Sequence, residues 1–238
     1  MICCKVRMAL FLCVLVCVCL CANIARTGDL LLSEKKLYSQ YDEEVIIRDF
    51  FQDRRDGTFV DIGASHYQKF SNTYYLEKHL GWSGVAVDAI EDYAAEYKMY
   101  RPRTHFFAYV VTDSSGAKQP FYKIPRLPEV SSTNKQWIDS LNEGPVETVM
   151  VPSIALNDLL DRVHISKFDF LSLDIEEGEP AALAGFDIQR FHPELVCVEQ
   201  HESVRMKLLE YFKANNYERI DKYIPYDKSN WYFRPKKN

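Results

Sequence analysis

Short apolar runs alternate with amphipathic segments along most of this 238-residue chain. The apolar runs stop at glycine or acidic residues, as buried strands commonly do, and the segments between them repeat hydrophobic residues at helical spacing. This alternation predicts an α/β fold in which helices cover both faces of a mostly parallel sheet. The predicted strands are residues 58–62, 85–87, 105–111, 168–174, 194–199, 217–224 and 230–233, of which the last two form an antiparallel pair.

Helices are predicted between the strands, at residues 71–80, 91–100, 153–163 and 202–215. Residues 26–57 are predicted to form an N-terminal helical segment that precedes a domain spanning 58–238. Residues 117–150 contain four prolines and show no clear period. They are predicted to form a long loop, and long loops of this kind tend to carry function.

The first 25 residues are unlike the rest of the chain. Lys5 and Arg7 precede an apolar run of fifteen residues, Met8 to Ala22, which is typical of a secretory signal peptide. The run is shorter than the roughly 20 residues of a spanning helix, although extending it through Ala25 leaves an uncleaved signal anchor open. We therefore expect residues 1–25 to be a signal peptide or a signal anchor; the third alternative is that the segment is neither. Either expectation places the protein in the secretory pathway, with a luminal domain that is secreted or anchored.

Composition excludes several classes of protein. Hydrophobic residues make up 47% of the chain, too many for a disordered tail. The net charge of −5 argues against nucleic-acid binding, which needs a basic face. Six of the seven cysteines lie in the first 21 residues and Cys197 alone lies beyond them, so the domain is not a disulfide scaffold.

The residues that end the first two strands have the chemistry of a nucleoside site. Gly63 follows the first strand, where a small residue lets the backbone approach a ligand closely. Asp88 ends the second strand, 27 residues after Asp61, where a carboxylate can accept hydrogen bonds from ribose hydroxyls. Each signal alone is also ordinary turn chemistry, but the two together in one βαβ unit favour a nucleoside cofactor.

Acidic residues crowd the end of the fourth strand. Four carboxylates lie within six residues from Asp174 to Glu179, followed by Pro180. Such a cluster could act as a general base or bind a cation, or could be a solvated loop with acidic residues at a helix start. Glu199 and His201 follow the fifth strand and alternate onto one face if that strand continues. His201 is a candidate base or ligand, and otherwise a hydrogen-bonded loop residue.

Taken together, these segments resemble the FkbM-type methyltransferase family. The similar stretches run in order from about residue 36 to the end of the chain, and the combination is more specific than any one of them. They are FVDIGA at 59–64, SNTYYLE at 71–77, GWSGVAVD at 81–88, the region of Arg101, VPSIALNDLL at 151–160, FDFLSLDIEEGEP at 168–180, LVCVE at 195–199 and NWYFRP at 230–235.

The resemblance implies an S-adenosylmethionine-dependent methyltransferase of class I: a Rossmann-like, doubly wound, mostly parallel seven-stranded sheet with an antiparallel C-terminal strand. It also implies roles for individual residues. Asp61, Gly63 and Ala64 would lie against the methionine part of the cofactor, with Ser71 and Asn72 beside that pocket. Asp88 would bind the ribose, Thr112 and Asp113 would border the adenine, and Asp174 and Glu176 would lie where methyl donor and acceptor meet. Our own hypothesis for the catalytic residues is Asp174 or Glu176 as base or orienting group, with Glu199 and His201 in support.

Two departures from the family pattern stand out. The family usually has glycine where this chain has Glu177, and residues 65–69 lack the second glycine often found in the first loop. Either departure could weaken cofactor binding.

The leading hypothesis is transfer of a methyl group from S-adenosylmethionine to a hydroxyl of a sugar, lipid or secondary metabolite. Its partners would be a small-molecule or glycan acceptor and no nucleic acid, with membrane contact only through an uncleaved N-terminal segment. An alternative is a protein that keeps the fold without the chemistry and serves as a secretory-pathway binding or trafficking module. A third is a metal-dependent hydrolase that uses the carboxylates of residues 174–179.

Overall fold

A seven-stranded sheet forms the centre of the protein in the computed structural model, which describes residues 30–237. The strands along the chain are β1 (Thr58–Ile62), β2 (Ser83–Asp88), β3 (Thr104–Ala108), β4 (Val110–Thr112), β5 (Lys118–Lys123), β6 (Glu147–Ala155), β7 (Phe170–Leu173), β8 (Leu195–Glu199), β9 (Tyr217–Arg219) and β10 (Asn230–Pro235). The helices are α1 (Leu30–Ser33), α2 (Glu43–Phe51), α3 (Tyr74–Leu80), α4 (Ala94–Tyr100), α5 (Lys135–Leu141), α6 (Leu156–Arg162), α7 (Glu179–Ala184), α8 (Ile188–Phe191) and α9 (Arg205–Ala214).

The strand order of the central sheet is β3-β2-β1-β7-β8-β10-β9. The first five strands of this order are parallel to one another, and β10 runs antiparallel to both β8 and β9. The order reverses between β1 and β7, which is where open α/β sheets bind ligands. The predicted fold class, a doubly wound and mostly parallel Rossmann-like sheet with an antiparallel C-terminal strand, is confirmed.

Two hydrophobic cores lie on opposite faces of this sheet, because successive side chains of a strand point to opposite sides. Val60 of β1 and Leu171 of β7 belong to the core beneath α6 to α9, whereas Phe59 and Phe170 belong to the other core. Helix α2 covers the second face with Ile46, Ile47 and Phe51, all of them buried. Both faces are therefore closed, and the polar groups of the site are confined to the strand ends.

Residues 117–150 contain regular structure, so the prediction of one long loop was wrong. They hold β5, α5 and the start of β6, and a second sheet of order β4-β6-β5 forms beside the central one. The helix predicted from residue 153 begins later, at Leu156, because β6 continues to Ala155. The spacing of Ile154 and Leu156 that suggested a helix equally fits the alternation of a strand.

The third predicted strand, residues 105–111, is in fact two strands. Strand β3 stays in the central sheet and ends at Ala108, and after Tyr109 the chain enters β4 of the second sheet. The predicted strand 217–224 is likewise shorter, since β9 ends at Arg219 and a 3₁₀ turn follows at Asp221–Tyr223.

The N-terminal segment predicted to be a signal peptide or anchor lies outside the described residues. Within residues 30–237, no helix has both the length and the apolar character needed to cross a membrane.

Candidate active site

A groove opens at the carboxyl ends of β1, β2 and β7 and consists of two adjoining clefts. The first, here called the apolar cleft, encloses about 550 Å³ and is lined by Val87, Val110, Val111 and Phe121 together with Asp88. The second, here called the polar cleft, encloses about 780 Å³. Its lining includes Asp61, Ser71, Asn72, Ser172, Glu199 and Asn230. The residues common to both clefts are Gly63, Ser65, Glu129, Asp174 and Glu176.

Gly63 and Asp174 lie at the junction of the clefts, where the ends of β1 and β7 come together. The amide of Asp174 donates to the carbonyl of Ile62 at 3.0 Å. Gly63 has a φ of 79°, and a Cβ atom there would lie 1.6 Å from the carbonyl oxygen of Asp174. No other residue type fits this close approach, so the strand-end glycine noticed in the sequence has a steric cause.

Asp88 projects into the apolar cleft from the end of β2. Its Oδ2 accepts from the amide of Ser65 at 2.9 Å, and its Oδ1 accepts from the amide of Ile90 at 2.8 Å. Burial is the largest influence on the Asp88 carboxyl and raises its pKa to about 6. Each carboxylate oxygen has two lone pairs, and one of them accepts the hydrogen bond from a backbone amide. The second lone pair of each oxygen is free. The side chain is therefore held rigidly and can still accept two hydrogen bonds from a ligand.

Thr112 and Asp113, expected at the adenine, line neither cleft. The hydroxyl of Thr112 donates instead to the Asp113 carboxylate at 3.4 Å, on the exposed side of the chain. The residues that do line the apolar cleft are Tyr109, Val110 and Val111. Thr112 and Asp113 lie outside the groove because the strand that reaches it ends at Ala108, before the chain turns into the second sheet, and their role at the adenine stays a prediction.

Asp61 lies at the inner wall of the polar cleft and is only 4% exposed. Its Oδ2 accepts from the hydroxyl of Thr73 at 2.7 Å, and burial raises the pKa of its carboxyl. The amide nitrogen of Asn72 donates to the hydroxyl of Ser172 at 3.2 Å. The hydroxyl of Ser71 accepts from the amide of Tyr74 at 3.1 Å, so this side chain supports the start of α3. Ala64 lines the same cleft.

A buried set of hydrogen bonds behind Asp61 was not predicted from the sequence. We call Thr73, Glu77 and Arg101 the Arg101 network. The guanidinium of Arg101 donates to Glu77 Oε2 at 2.6 Å, to the hydroxyl of Thr73 at 3.1 Å and to the carbonyl of Tyr67 at 2.9 Å. The only sequence signal for it was the presence of SNTYYLE and the Arg101 region among the stretches that resemble the FkbM family.

Three side chains meet at the far side of the polar cleft, and we call Glu176, Glu199 and His201 the carboxylate–histidine cluster. Nε2 of His201 lies 3.0 Å from Glu199 Oε2 and 3.3 Å from Glu176 Oε2. The two carboxylates raise the pKa of His201 to about 10. The predicted catalytic residues are thus brought together, since Asp174 is adjacent and has its pKa raised well above the usual range by burial and by Glu199 and Glu176.

Helix α5 and the turn before it close over this end of the groove. The hydroxyl of Ser132 donates to the carbonyl of Glu176 at 2.6 Å, and the side-chain Nδ2 of Asn134 donates to Glu177 Oε2 at 2.7 Å. The ring of Trp137, on α5, lies with its centroid 4.5 Å from that of His201. Residues of the 117–150 region therefore form one wall of the site.

Both departures from the family pattern involve left-handed backbone. Glu177, in place of the usual glycine, has a φ of 71°, and Ser65 in the first loop has a φ of 49°. Glycine adopts this conformation without strain, which gives a physical reason for the family preference. Here the side chain of Glu177 makes contacts that a glycine would lack, since its carboxylate accepts from Asn134 and from the hydroxyl of Ser203.

A family model for the methyltransferase FkbM domain matches residues 61–228, which is well over half of the chain. The chain belongs to the FkbM methyltransferase family. This confirms the resemblance drawn from the sequence, and with it the assignment as an S-adenosylmethionine-dependent methyltransferase at the level of family and fold.

Three solved structures are similar to the chain at low identity. A TehB-like SAM-dependent methyltransferase from Corynebacterium glutamicum is 13% identical, with a TM-score of 0.47 over 83% of this chain and 89% of that one. The Burkholderia thailandensis 1,6-didemethyltoxoflavin-N1-methyltransferase, solved with 1,6-didemethyltoxoflavin and S-adenosylhomocysteine, is 12% identical, with a TM-score of 0.43 over 91% and 82%. The precorrin-6y C5,15-methyltransferase of Geobacter metallireducens is 12% identical, with a TM-score of 0.41 over 83% and 82%. No curated protein sequence matches the chain.

Proposed function

We propose that this FkbM-family protein binds S-adenosylmethionine in the groove and transfers its methyl group to a hydroxyl of a sugar, lipid or secondary metabolite. The observation that carries the proposal is the meeting of Gly63, Asp88 and Asp174 in one groove at the reversal of strand order. When bound, the cofactor supplies an electrophilic methyl group attached to a sulfonium sulfur.

The apolar cleft fits the nucleoside part of this cofactor. The carboxylate of Asp88 has two free lone pairs for the ribose hydroxyls, and Val87, Val110 and Phe121 offer an apolar surface for a flat base. The proposed position of the methionine part is the junction near Gly63 and Ala64, with Asp61 and Asn72 on the adjoining wall.

The polar cleft fits the acceptor. Methylation of a hydroxyl requires that its proton leave, and a carboxylate within reach can accept it. Asp174 and Glu176 line both clefts, so either can contact an acceptor oxygen at the junction where donor and acceptor would meet. We assign them the roles of base and orienting group, with Glu199 and His201 in support. The wall formed by residues 128–137 excludes water from this end and shapes the acceptor site.

Methyl transfer is tested with the full-length chain and S-adenosylmethionine carrying an isotopically labelled methyl group. Sugars, hydroxylated lipids and small hydroxylated metabolites are offered as separate acceptor pools, and products are identified by mass spectrometry. We expect label on an acceptor oxygen in one pool, and loss of that label with Glu176→Gln. Label on nitrogen or carbon would contradict the proposed O-methylation while leaving methyl transfer intact.

The alternative of a binding or trafficking module predicts a different result from the same protein. Ser65 and Glu177 both adopt conformations that favour glycine, which is the observation in favour of this alternative. A chain that binds S-adenosylmethionine but labels no acceptor in any pool would support it, whereas turnover would exclude it. The family assignment favours methyl transfer over the hydrolase alternative.

We also propose that the domain acts within the secretory pathway, directed there by residues 1–25. The support is the basic and apolar pattern of that segment. Intact-mass measurement of the protein recovered from secretory cells would show cleavage near residue 25 for a signal peptide and the full mass for an anchor. Recovery of uncleaved protein from the cytosol would contradict the proposal.

A further inference from the structure

Three buried polar atoms in the carboxylate–histidine cluster face one another without a hydrogen bond. They are Oε2 of Glu176, Oε2 of Glu199 and Nε2 of His201, each almost inaccessible to solvent and each without a hydrogen-bond partner of acceptable geometry. Glu176 as a whole is only 8% exposed. Buried polar atoms are nearly always satisfied, so a group of three without partners calls for an explanation.

The two distances from His201 to the carboxylates match those between ligands of one cation. Two ligand atoms that each lie about 2.1 Å from a metal are about 3.0 to 3.4 Å apart in octahedral or tetrahedral geometry. The observed separations from His201 Nε2 are 3.0 Å to Glu199 and 3.3 Å to Glu176, and all three atoms lie within 4.8 Å of one another. Among residues 30–237, this is the one group of histidine, cysteine or acidic side chains with such geometry.

An ion pair alone accounts for the arrangement less completely. A protonated imidazole has a single N–H at Nε2, and it can donate well to one carboxylate oxygen only. The other carboxylate would then depend on the buried indole N–H of Trp137, which influences Glu176 but makes no hydrogen bond of acceptable geometry. A divalent cation satisfies all three atoms at once. It displaces the proton of His201 on binding, so that the imidazole is a neutral ligand and the charge of the cation balances the two carboxylates.

We propose that Glu176, Glu199 and His201 bind a divalent transition-metal cation, Mn²⁺ or Zn²⁺. One imidazole with two carboxylates suits these cations, because imidazole is a good ligand for zinc and carboxylates suit manganese. Three protein ligands leave coordination positions open. Since Glu176 and Glu199 line the polar cleft, the open positions face the groove, where an oxygen of the acceptor can bind.

The binding test uses the full-length chain, stripped with a chelator and titrated with Mn²⁺ or Zn²⁺ in the absence of S-adenosylmethionine. Free Mn²⁺ is followed by electron paramagnetic resonance, and Zn²⁺ by calorimetry. We expect one cation per chain, with affinity reduced at least about 100-fold by His201→Asn or Glu199→Gln. Glu202→Gln is the matched control, since Glu202 is exposed and next to His201 in the sequence, and it should bind as the unmodified chain does.

A spectroscopic readout keeps the test decisive if a variant fails to fold. Pulsed electron paramagnetic resonance of the Mn²⁺-loaded protein should show coupling to a ¹⁴N nucleus from the imidazole of His201. No binding of either cation, binding without nitrogen coupling, or equal binding by the His201→Asn protein would overturn the proposal. Because the titration contains no cofactor, its failure is distinguishable from a failure of the proposed methyl transfer.

Discussion

Two charged groups buried beside the same sheet differ in how their polar atoms are satisfied. In the Arg101 network, the guanidinium is 1% exposed and donates to a carboxylate, a hydroxyl and a backbone carbonyl. In the carboxylate–histidine cluster, three comparably buried atoms have no hydrogen bond. The first arrangement is complete within the protein, and the second is incomplete without a ligand.

This difference distinguishes a group that supports the fold from a group that binds a ligand. A satisfied network fixes the shape of its surroundings, and here it positions Thr73, which in turn donates to Asp61 at the wall of the groove. A cluster with unsatisfied polar atoms can bind a ligand that supplies the missing contacts. We therefore expect changes in the Arg101 network to reduce the stability of the fold, and changes around the groove to reduce binding.

The largest expected effect on stability is that of Arg101→Met. It leaves the carboxylate of Glu77 buried without its partner, and breaking a buried ion pair in this way costs about 3–5 kcal/mol. Denaturant unfolding measures the loss. Glu199→Gln in the cluster should change the free energy of unfolding by less than about 1 kcal/mol, and equal losses in the two variants would erase the distinction.

A third buried charged group, the acidic pair Glu43 and Asp227, tests whether satisfied hydrogen bonds are sufficient for stability. Both carboxylates accept hydrogen bonds from Asn230, yet burial, followed by the repulsion from Asp227, raises the pKa of Glu43 to about 7. Its folded pKa is above the unfolded value, so its contribution is full below about pH 4.5 and is lost as the pH rises through 7.

We therefore expect Glu43→Gln to gain stability relative to the unmodified protein as the pH rises from 5 to 8. The gain is of the order of 1–3 kcal/mol, measured as the change in the difference between the two unfolding free energies. A difference that stays constant between pH 5 and pH 8 would show that Glu43 does not titrate in this range.

The pKa of Asp88 predicts how cofactor affinity depends on pH. In the proposed complex the carboxylate accepts hydrogen bonds from ribose hydroxyls, and protonation removes part of that capacity. Burial raises the pKa of Asp88 to about 6, and the titratable groups that face its carboxyl are Asp61, Tyr93 and Tyr97. The side chain is therefore ionised at pH 7 and mostly protonated at pH 5. Affinity for S-adenosylhomocysteine should fall about tenfold from pH 7 to pH 5. Asp88→Asn should bind more weakly at pH 7 and lose this pH dependence.

The smallest expected effect on stability concerns Glu177→Gly. The substitution relieves left-handed strain of about 1 kcal/mol but removes the contacts with Asn134 and Ser203, so the net change in unfolding free energy should stay within about 1 kcal/mol. The amides of α5 should nevertheless exchange with solvent roughly tenfold faster, because the wall of the groove loses its attachment. Glu177→Gln, which can still accept from Asn134, should preserve the slow exchange.

The sequence predicted features that depend on local order along the chain. Gly63, Asp88 and Asp174 could be found because each follows an apolar run, and parallel strands bring their carboxyl ends to one edge. The Arg101 network could not, since Glu77 and Arg101 are 24 residues apart and meet only after α3 and α4 have packed. The position of Thr112 and Asp113 outside the groove could not be predicted for a related reason: nothing in the local pattern shows that the chain leaves the central sheet at Tyr109.

The 117–150 region shows a second limit of pattern analysis. Its strands pair mainly with each other in a small sheet, and β6 begins with exposed residues, so no sustained apolar alternation marks them. The sequence analysis expected the region to carry function because of its length and irregularity, and the region does form one wall of the groove.

Calorimetric titration of the full-length chain with S-adenosylhomocysteine tests the central claim most directly. The unmodified chain should bind one molecule, and Asp88→Ala should reduce the affinity about 100-fold through loss of two charge-assisted hydrogen bonds, with no comparable loss of unfolding free energy. Absence of binding by the unmodified chain, or equal binding by Asp88→Ala, would contradict the assignment of the groove as the cofactor site.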